Sequence, residues 1–401
     1  MGLTEGVDVV AFADLGGWPG LLRRVLAGGS LTADEAACAM GQVLAGEATS
    51  AQVAAFVVAL RAKEETVEEM TGFVRAFLAY AEPLVFEGDV IDTCGTGGDR
   101  SASINVSTIA ALVVAGAGVP VCKHGGRAAS SAAGSADVLE QLGVVVDLGP
   151  AGVARCIAEA GMGFCFAPRF HPAMRHVGPV RAELGIATVF NFLGPLANPA
   201  RARLQVVGVS DPAMATKMLG VLVANGARRA MVVHGADGLD ELSTSGPSDV
   251  LFFDADADAG VDPGADDRVD ASGDAGAESG AGAGARPEVG SGTASSGVLD
   301  RRVRRIVVDP AEYGLTPATV ADIRGGDPAT NAALARRVLG GGHGPHRDVV
   351  LLNAAAGLVV GGAVTDIAAG LVKAAEVVDS GRAEAVLDQL VAVSRSAGEA
   401  S

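Results

Sequence analysis

The 401-residue sequence predicts an α/β protein: a small all-helical domain followed by a large α/β domain with a mainly parallel central sheet. Three observations predict it. Residues 20 to 80 carry helix-start signals and no strand signal. From Val90 onward, short β-branched runs alternate with helical stretches. Most of the glycine-rich and charged motifs fall just after one of those runs, where parallel sheets bind their ligands. The expected limits are 15–86 for the helical domain, completed by part of 176–200, and 87–401 for the α/β domain.

In the helical part, Thr32-Ala33-Asp34-Glu35 and Thr66-Val67-Glu68-Glu69 match the capping box, in which hydroxyl and glutamate each satisfy an orphan N–H. Ala51 to Leu60 is rich in Ala and Val, which leaves an apolar face for a partner chain. Strands are expected at Val119 to Cys122, Val144 to Asp147, Leu204 to Val209 and Met231 to Val233, and again at Val250 to Phe253 and Val303 to Val308. Between the last two, residues 255–300 are mostly Ala, Gly, Asp and Ser, with ten acids and two bases. Such a stretch cannot bury enough apolar surface to offset its ordering entropy, so it reads as a disordered insertion. Helices are expected at Asn331 to Leu339, Asp348 to Val360 and Asp366 to Glu399. Asn353, polar in an apolar run, is expected to bridge helices by hydrogen bonds.

The net charge of -17 and the 4% aromatic content argue against nucleic-acid binding. Ile109 to Val121, the longest apolar stretch, is too short to span a membrane. The start, Met1-Gly2-Leu3-Thr4-Glu5, lacks a secretory signal pattern. Five cysteines without a CxxC pair fit a reduced protein, and the expected location is cytoplasmic.

Four motifs carry candidate chemistry. Asp92-Thr93-Cys94-Gly95-Thr96-Gly97-Gly98-Asp99 runs on through Ser103 to Asn105-Val106-Ser107-Thr108, where a buried helix begins. Glycines admit a close ligand, and hydroxyls and N–H groups at a helix start suit phosphate. A plain strand-to-helix turn is the other reading. Lys123-His124-Gly125-Gly126-Arg127-Ala128-Ala129-Ser130-Ser131, continuing to Ser135, places a point charge and a planar fork beside serines, again suiting phosphate. His124 reads either as a base or as a positional hydrogen bonder. Arg181, ahead of Leu193-Gly194-Pro195-Leu196-Ala197-Asn198-Pro199, reads either as a carboxylate grip or as a surface arginine. Asp240-Glu241, just after a strand, suits a hard cation or is a solvated turn.

Together these motifs resemble those of the anthranilate phosphoribosyltransferase family, in order and spacing, over nearly all of residues 20–395 outside the insertion. The resemblance implies a homodimer formed through the helical domain, 5-phosphoribosyl 1-diphosphate and anthranilate as substrates, and Mg²⁺ as cofactor. It implies that Gly95, Gly98, Asp99, Ser103, Asn105, Val106, Ser107 and Thr108 hold the donor, together with Lys123, His124, Gly125, Gly126, Arg127, Ala128, Ala129, Ser130, Ser131 and Ser135. Ser107, Asp240 and Glu241 match the metal ligands. Arg181, with Gly95 and Gly126, matches the acceptor site, and Lys123, Arg181, Asp240 and Glu241 are the expected catalytic set. Position 126 is Gly where the family usually has asparagine, which opens the alternative of a different aromatic acceptor. A non-catalytic relative that binds phosphorylated metabolites is the alternative from another class.

Overall fold

The computed structural model describes residues 10–128, 132–257 and 302–399. The chain opens with four helices: α1 Gly17–Leu26, α2 Ala33–Leu44, α3 Ser50–Lys63 and α4 Val67–Ala79. Both expected capping boxes form, at Thr32/Glu35 and Thr66/Glu69. A third, Thr49/Gln52, starts α3. Its Thr-x-x-Gln spacing is the same sequence signature. Trp18, Phe56 and Phe73 stack edge to face through the middle of this bundle.

The remainder alternates. Strand β1 Ile91–Gly95 leads to α5 Val106–Gly116, and β2 Val121–Gly125 to α6 Ser135–Gln141 and α7 Pro150–Ala160. After β3 Met162–Phe166 come α8 Ala167–Phe170, α9 Gly178–Leu184 and α10 Phe190–Leu196. Next are β4 Leu204–Gly208, α11 Ala215–Ala224, β5 Arg229–Gly235, β6 Ser248–Asp254 and β7 Val303–Val308. The chain closes with α12 Pro328–Leu339, α13 Pro345–Val360, α14 Ile367–Asp379 and α15 Arg382–Glu399. Among the described residues the strands form one sheet in the order β3-β2-β1-β4-β5-β6-β7. The first five run parallel, while β6 and β7 are added antiparallel at one edge.

Two apolar cores cover the two faces of the sheet. One joins α5, α6, α7 and the closing helices. The other joins the N-terminal bundle to Val177, Val180, Phe190 and Leu193, and to α11 and the facing sheet residues Val207 and Val232. The bundle thus docks on the sheet through α10 and α11.

Two strand expectations change. Val144 to Asp147 forms no strand: it connects α6 to α7, and the Val145 N–H donates to Ser394 Oγ at 3.1 Å instead of to a sheet neighbour. Its β-branched run packs beneath α15. Conversely, β3 reads Met-Gly-Phe-Cys-Phe, without a β-branched residue, and was invisible to the pattern; all five residues are buried. The expectation of disorder for 255–300 falls almost wholly outside the described residues. No described helix is long and apolar enough to cross a membrane.

Candidate active site at the carboxyl ends of the strands

The first motif leaves β1 through a tight loop. Gly97 and Gly98 have φ of 66° and 82°, and Arg100 and Ala102 also adopt positive φ, at 58° and 52°. Asp99 closes the turn locally: its carboxylate accepts from Ser101 N at 3.1 Å and Ser101 Oγ at 2.8 Å. Ser103 forms an isolated antiparallel bridge with Arg324. Asn105 precedes α5, donates to the Ala133 carbonyl at 3.0 Å, and accepts from Asn331 at 2.9 Å. Val106 is buried in the first turn, and Thr108 Oγ1 donates to Ser135 Oγ at 3.0 Å.

Opposite this loop stand Asp240 and Glu241. Gly97 N donates to Asp240 Oδ2 at 2.7 Å, and Ser107 N donates to Glu241 Oε1 at 3.1 Å. The N–H groups read in the sequence as phosphate donors therefore hold the two acids here. Gly95 is required by this approach, because a Cβ there would collide with the Asp240 carboxylate. Asn353 sets the acidic loop from behind: its side chain accepts from Leu242 N and donates to Leu242 O, both at 2.9 Å. It bridges α13 to this loop rather than to another helix.

Burial raises the pKa of Asp240 above the usual carboxylate range, and the charge of Asp99 adds to this. Glu241 is raised too, by burial first and then by Asp240. Lys123 opposes the shift of Glu241. Its buried ammonium donates to Ser107 Oγ at 3.2 Å and to the Thr93 carbonyl. Ser107, Lys123, Asp240 and Glu241, drawn from three separate motifs, therefore meet at one place.

Other expected residues sit apart from this cluster. The Arg127 fork pairs with Asp137 at 2.9 Å and with both Glu140 oxygens at 2.6 and 2.9 Å, and it lies over the Phe166 ring. Asp137 also accepts from the N–H groups of Ala128 and Gly134, so it pins both ends of that loop. Gly125 packs against Phe164 and Ser135. Ala129, Ser130 and Ser131 lie outside the described residues. Among the described residues, a Cβ at Gly126 would meet the Ala167 methyl, at 3.9 Å, in ordinary contact. Arg181 is half-buried on α9, and burial lowers the pKa of its guanidinium. His124 is buried, and its Nδ1 lies 3.1 Å from the Gly194 carbonyl. Burial, then His171 beside it, depresses its pKa to about 3. His171 was missed in the sequence, as were the roles of Asp92 and Asn198, each named there only as part of a motif. Two histidines far apart in sequence give no local signal.

A two-domain glycosyltransferase is what this fold and cluster define. The helical bundle domain of the glycosyl transferase family matches residues 19–81, and its a/b domain matches residues 87–260 and 279–384. An anthranilate phosphoribosyltransferase from Roseiflexus castenholzii is 46% identical over 92% of this chain and 96% of its own length. The crystal structure of the Thermus thermophilus enzyme of that name superposes with a TM-score of 0.78 at 39% identity, covering 94% of this chain and 99% of that one. The Saccharomyces cerevisiae enzyme in complex with PRPP and Mg shares the fold, with a TM-score of 0.77 at 24% identity over 94% of this chain and 98% of that one. The chain belongs to the glycosyl transferase family and, within it, to the anthranilate phosphoribosyltransferases.

Proposed function

We propose that the protein transfers the phosphoribosyl group of 5-phosphoribosyl 1-diphosphate to anthranilate in tryptophan biosynthesis, giving N-(5-phosphoribosyl)anthranilate and diphosphate. The observation that carries this reading is the convergence of Lys123, Ser107, Asp240 and Glu241 at the carboxyl ends of the strands. The C1–O bond to diphosphate breaks, the anthranilate nitrogen bonds to C1, and the amine proton leaves to solvent.

In this reading the Gly95-to-Thr108 segment positions the donor and Lys123 offsets its charge, with Ser135 and the 123–131 loop completing the cradle. Arg181 grips the anthranilate carboxylate. A half-buried guanidinium disfavoured by desolvation gains most from an anionic partner. Ser107, Asp240 and Glu241 would hold Mg²⁺. The fit rests on the donor set: only oxygens, with two acids whose ionisation is disfavoured until a cation joins them. When bound, that cation would supply charge neutralisation of the departing diphosphate. His124 is not an essential base, since an imidazole with a pKa of about 3 accepts protons poorly at neutral pH.

The same reading takes 15–86, with part of 176–200, and 87–401 as the two domains, and places a cytoplasmic homodimer interface on the helical domain. Leu26, 73% exposed on that domain, supports such an interface. Sedimentation of the purified chain tests it. Gly126, which offers no side chain to an acceptor, motivates one second reading, an aromatic acceptor other than anthranilate. Loss of anthranilate fluorescence that requires both donor and Mg²⁺ is the expected result. No loss, or faster turnover with a ring-substituted analogue, would favour the alternatives.

A further inference from the structure

The seam between β1 and β2 stops almost as soon as it starts. β1 pairs β4 at five positions, from Ile91↔Leu204 to Gly95↔Gly208, but it pairs β2 only at Ile91↔Val121. That rung includes the Ile91 N–H bonded to the Pro120 carbonyl at 2.9 Å. A parallel ladder continued from it would next join Thr93 N to the Cys122 carbonyl, and His124 N to the Thr93 carbonyl. Neither bond forms. The His124 N–H donates to Asp92 Oδ1 at 3.1 Å, and the Thr93 N–H also faces the Asp92 carboxylate. The Cys122 carbonyl accepts from Asn198 Nδ2 at 2.8 Å. The Thr93 carbonyl accepts from Lys123 Nζ. Three of the four backbone groups of the missing rung are thus bonded to side chains, and the fourth, the Thr93 N–H, faces one. Asp92 and Asn198 are themselves joined, Nδ2 to Oδ2, at 2.8 Å. Both are buried, at 0% and 1% exposure, so side chains stand in for the lost ladder away from solvent.

The result is a splayed seam with the Lys123 ammonium inside it. Asn198 adds a second connection: its Oδ1 accepts from Ala200 N at 2.8 Å, fixing the turn that follows α10, whose Phe190 and Leu193 are part of the helical-domain core.

We infer that Asp92 and Asn198 are positioning residues that hold β1 and β2 apart, so that the Lys123 ammonium stands in the gap at the diphosphate end of the site. The inference rests on the reading of the reaction given above. Asp92 touches no substrate in it and acts through Lys123. A continuous ladder would instead carry His124 N back to Thr93 O and displace the ammonium from the carbonyl it now caps.

The test is a double-mutant cycle on binding of 5-phosphoribosyl 1-diphosphate with Mg²⁺, measured by calorimetry on the full chain. Asp92→Asn keeps the shape but sets an amide N–H₂ against that of Asn198. It should weaken donor binding about tenfold, the size of one lost hydrogen bond to a charged group. In a Lys123→Ala background the same change should have no further effect, because its route is already gone. A purely structural role would give equal losses in both backgrounds and would overturn the inference. Should Asp92→Asn fail to fold, the cycle with Asn198→Ala decides by the same criterion. Wild-type turnover with anthranilate is the control. If the wild type turns over and the effects are additive, this inference alone falls. If the wild type neither binds nor turns over the donor, the functional reading falls and takes this inference with it.

Discussion

Two buried carboxylate sites in this molecule are built on opposite principles. Glu69, in the helical domain, is fully buried and fully satisfied. Its oxygens accept from Leu31 N at 3.0 Å, Thr66 N at 2.8 Å and Lys63 Nζ at 2.9 Å. At the strand ends, Asp240 and Glu241 share the space with Asp99, each accepts a backbone N–H, and Lys123 is the cation that acts on Glu241. The first arrangement stabilises the fold. The second leaves negative charge that the fold itself does not compensate, which is what a binding site for a cationic group requires. Glu69 is the more deeply enclosed, but the larger difference between the two sites lies in the donors.

The largest effect expected from this contrast is on activity. Asp240→Ala should reduce kcat/KM by at least about 1,000-fold, because the charge stabilisation of the leaving group at such sites amounts to several kcal/mol. Its melting temperature should stay the same or rise. His124→Ala should lose far less turnover. Steady-state kinetics on the two variants decides the point, and equal losses would mean that His124 takes part in proton transfer.

The stability counterpart uses one substitution at two places. Glu69→Gln breaks a buried ion pair and should cost about 3 kcal/mol. Glu241→Gln should instead stabilise the metal-free protein, by about 1 kcal/mol or more. The sign follows from the raised folded pKa of Glu241. Stability is present while the group is protonated and is lost as pH rises above the ordinary value of 4.5 and through the folded pKa. The gain from Glu241→Gln should therefore grow with pH. Urea denaturation of both variants at two pH values in chelator measures it, and destabilisation by Glu241→Gln would break the comparison.

The same contrast marks what could be read in the chain. The Thr66/Glu69 box was legible because hydroxyl and carboxylate are three residues apart. That Glu69 also closes on Leu31 and Lys63 was not, since it depends on how α2, α3 and α4 pack. The Gly95-to-Asp99 cluster was legible as a glycine loop following a strand. The reason Gly95 must lack a side chain is the Asp240 carboxylate, 145 positions along the chain, and no local pattern records it. Asp92 and Asn198 went unread for the same reason: each looks like an ordinary turn residue until the interrupted β1–β2 ladder is seen. Val144 to Asp147 was over-read because β-branched residues serve a buried connector as well as a strand.

The smallest effect concerns a third kind of buried polar group, an imidazole kept neutral. The rings of His171 and His124 lie 5.0 Å apart, and His171 also packs against Phe77 of α4 at 6.0 Å. Among the described residues, Nε2 of each histidine is buried without a hydrogen-bond partner. Burial depresses the pKa of His171 from 6.5 to about 4. Between those values the unfolded chain binds a proton that the native state does not, so stability is lost as pH falls from 6.5 toward 4. One pH unit below the unfolded value, the loss from this residue is about 1 kcal/mol. His171→Phe fills the same space with a ring that cannot titrate. The drop in unfolding free energy between pH 7.5 and 5.5 should shrink by that amount relative to the wild type. Asp92 and Glu241, whose folded pKa values are raised, work in the opposite direction on acidification, but they are common to both proteins and cancel in the difference. An identical pH dependence in wild type and variant would show that His171 is protonated in the native state, and that a neutral imidazole pair does not link the helical domain to the strand ends.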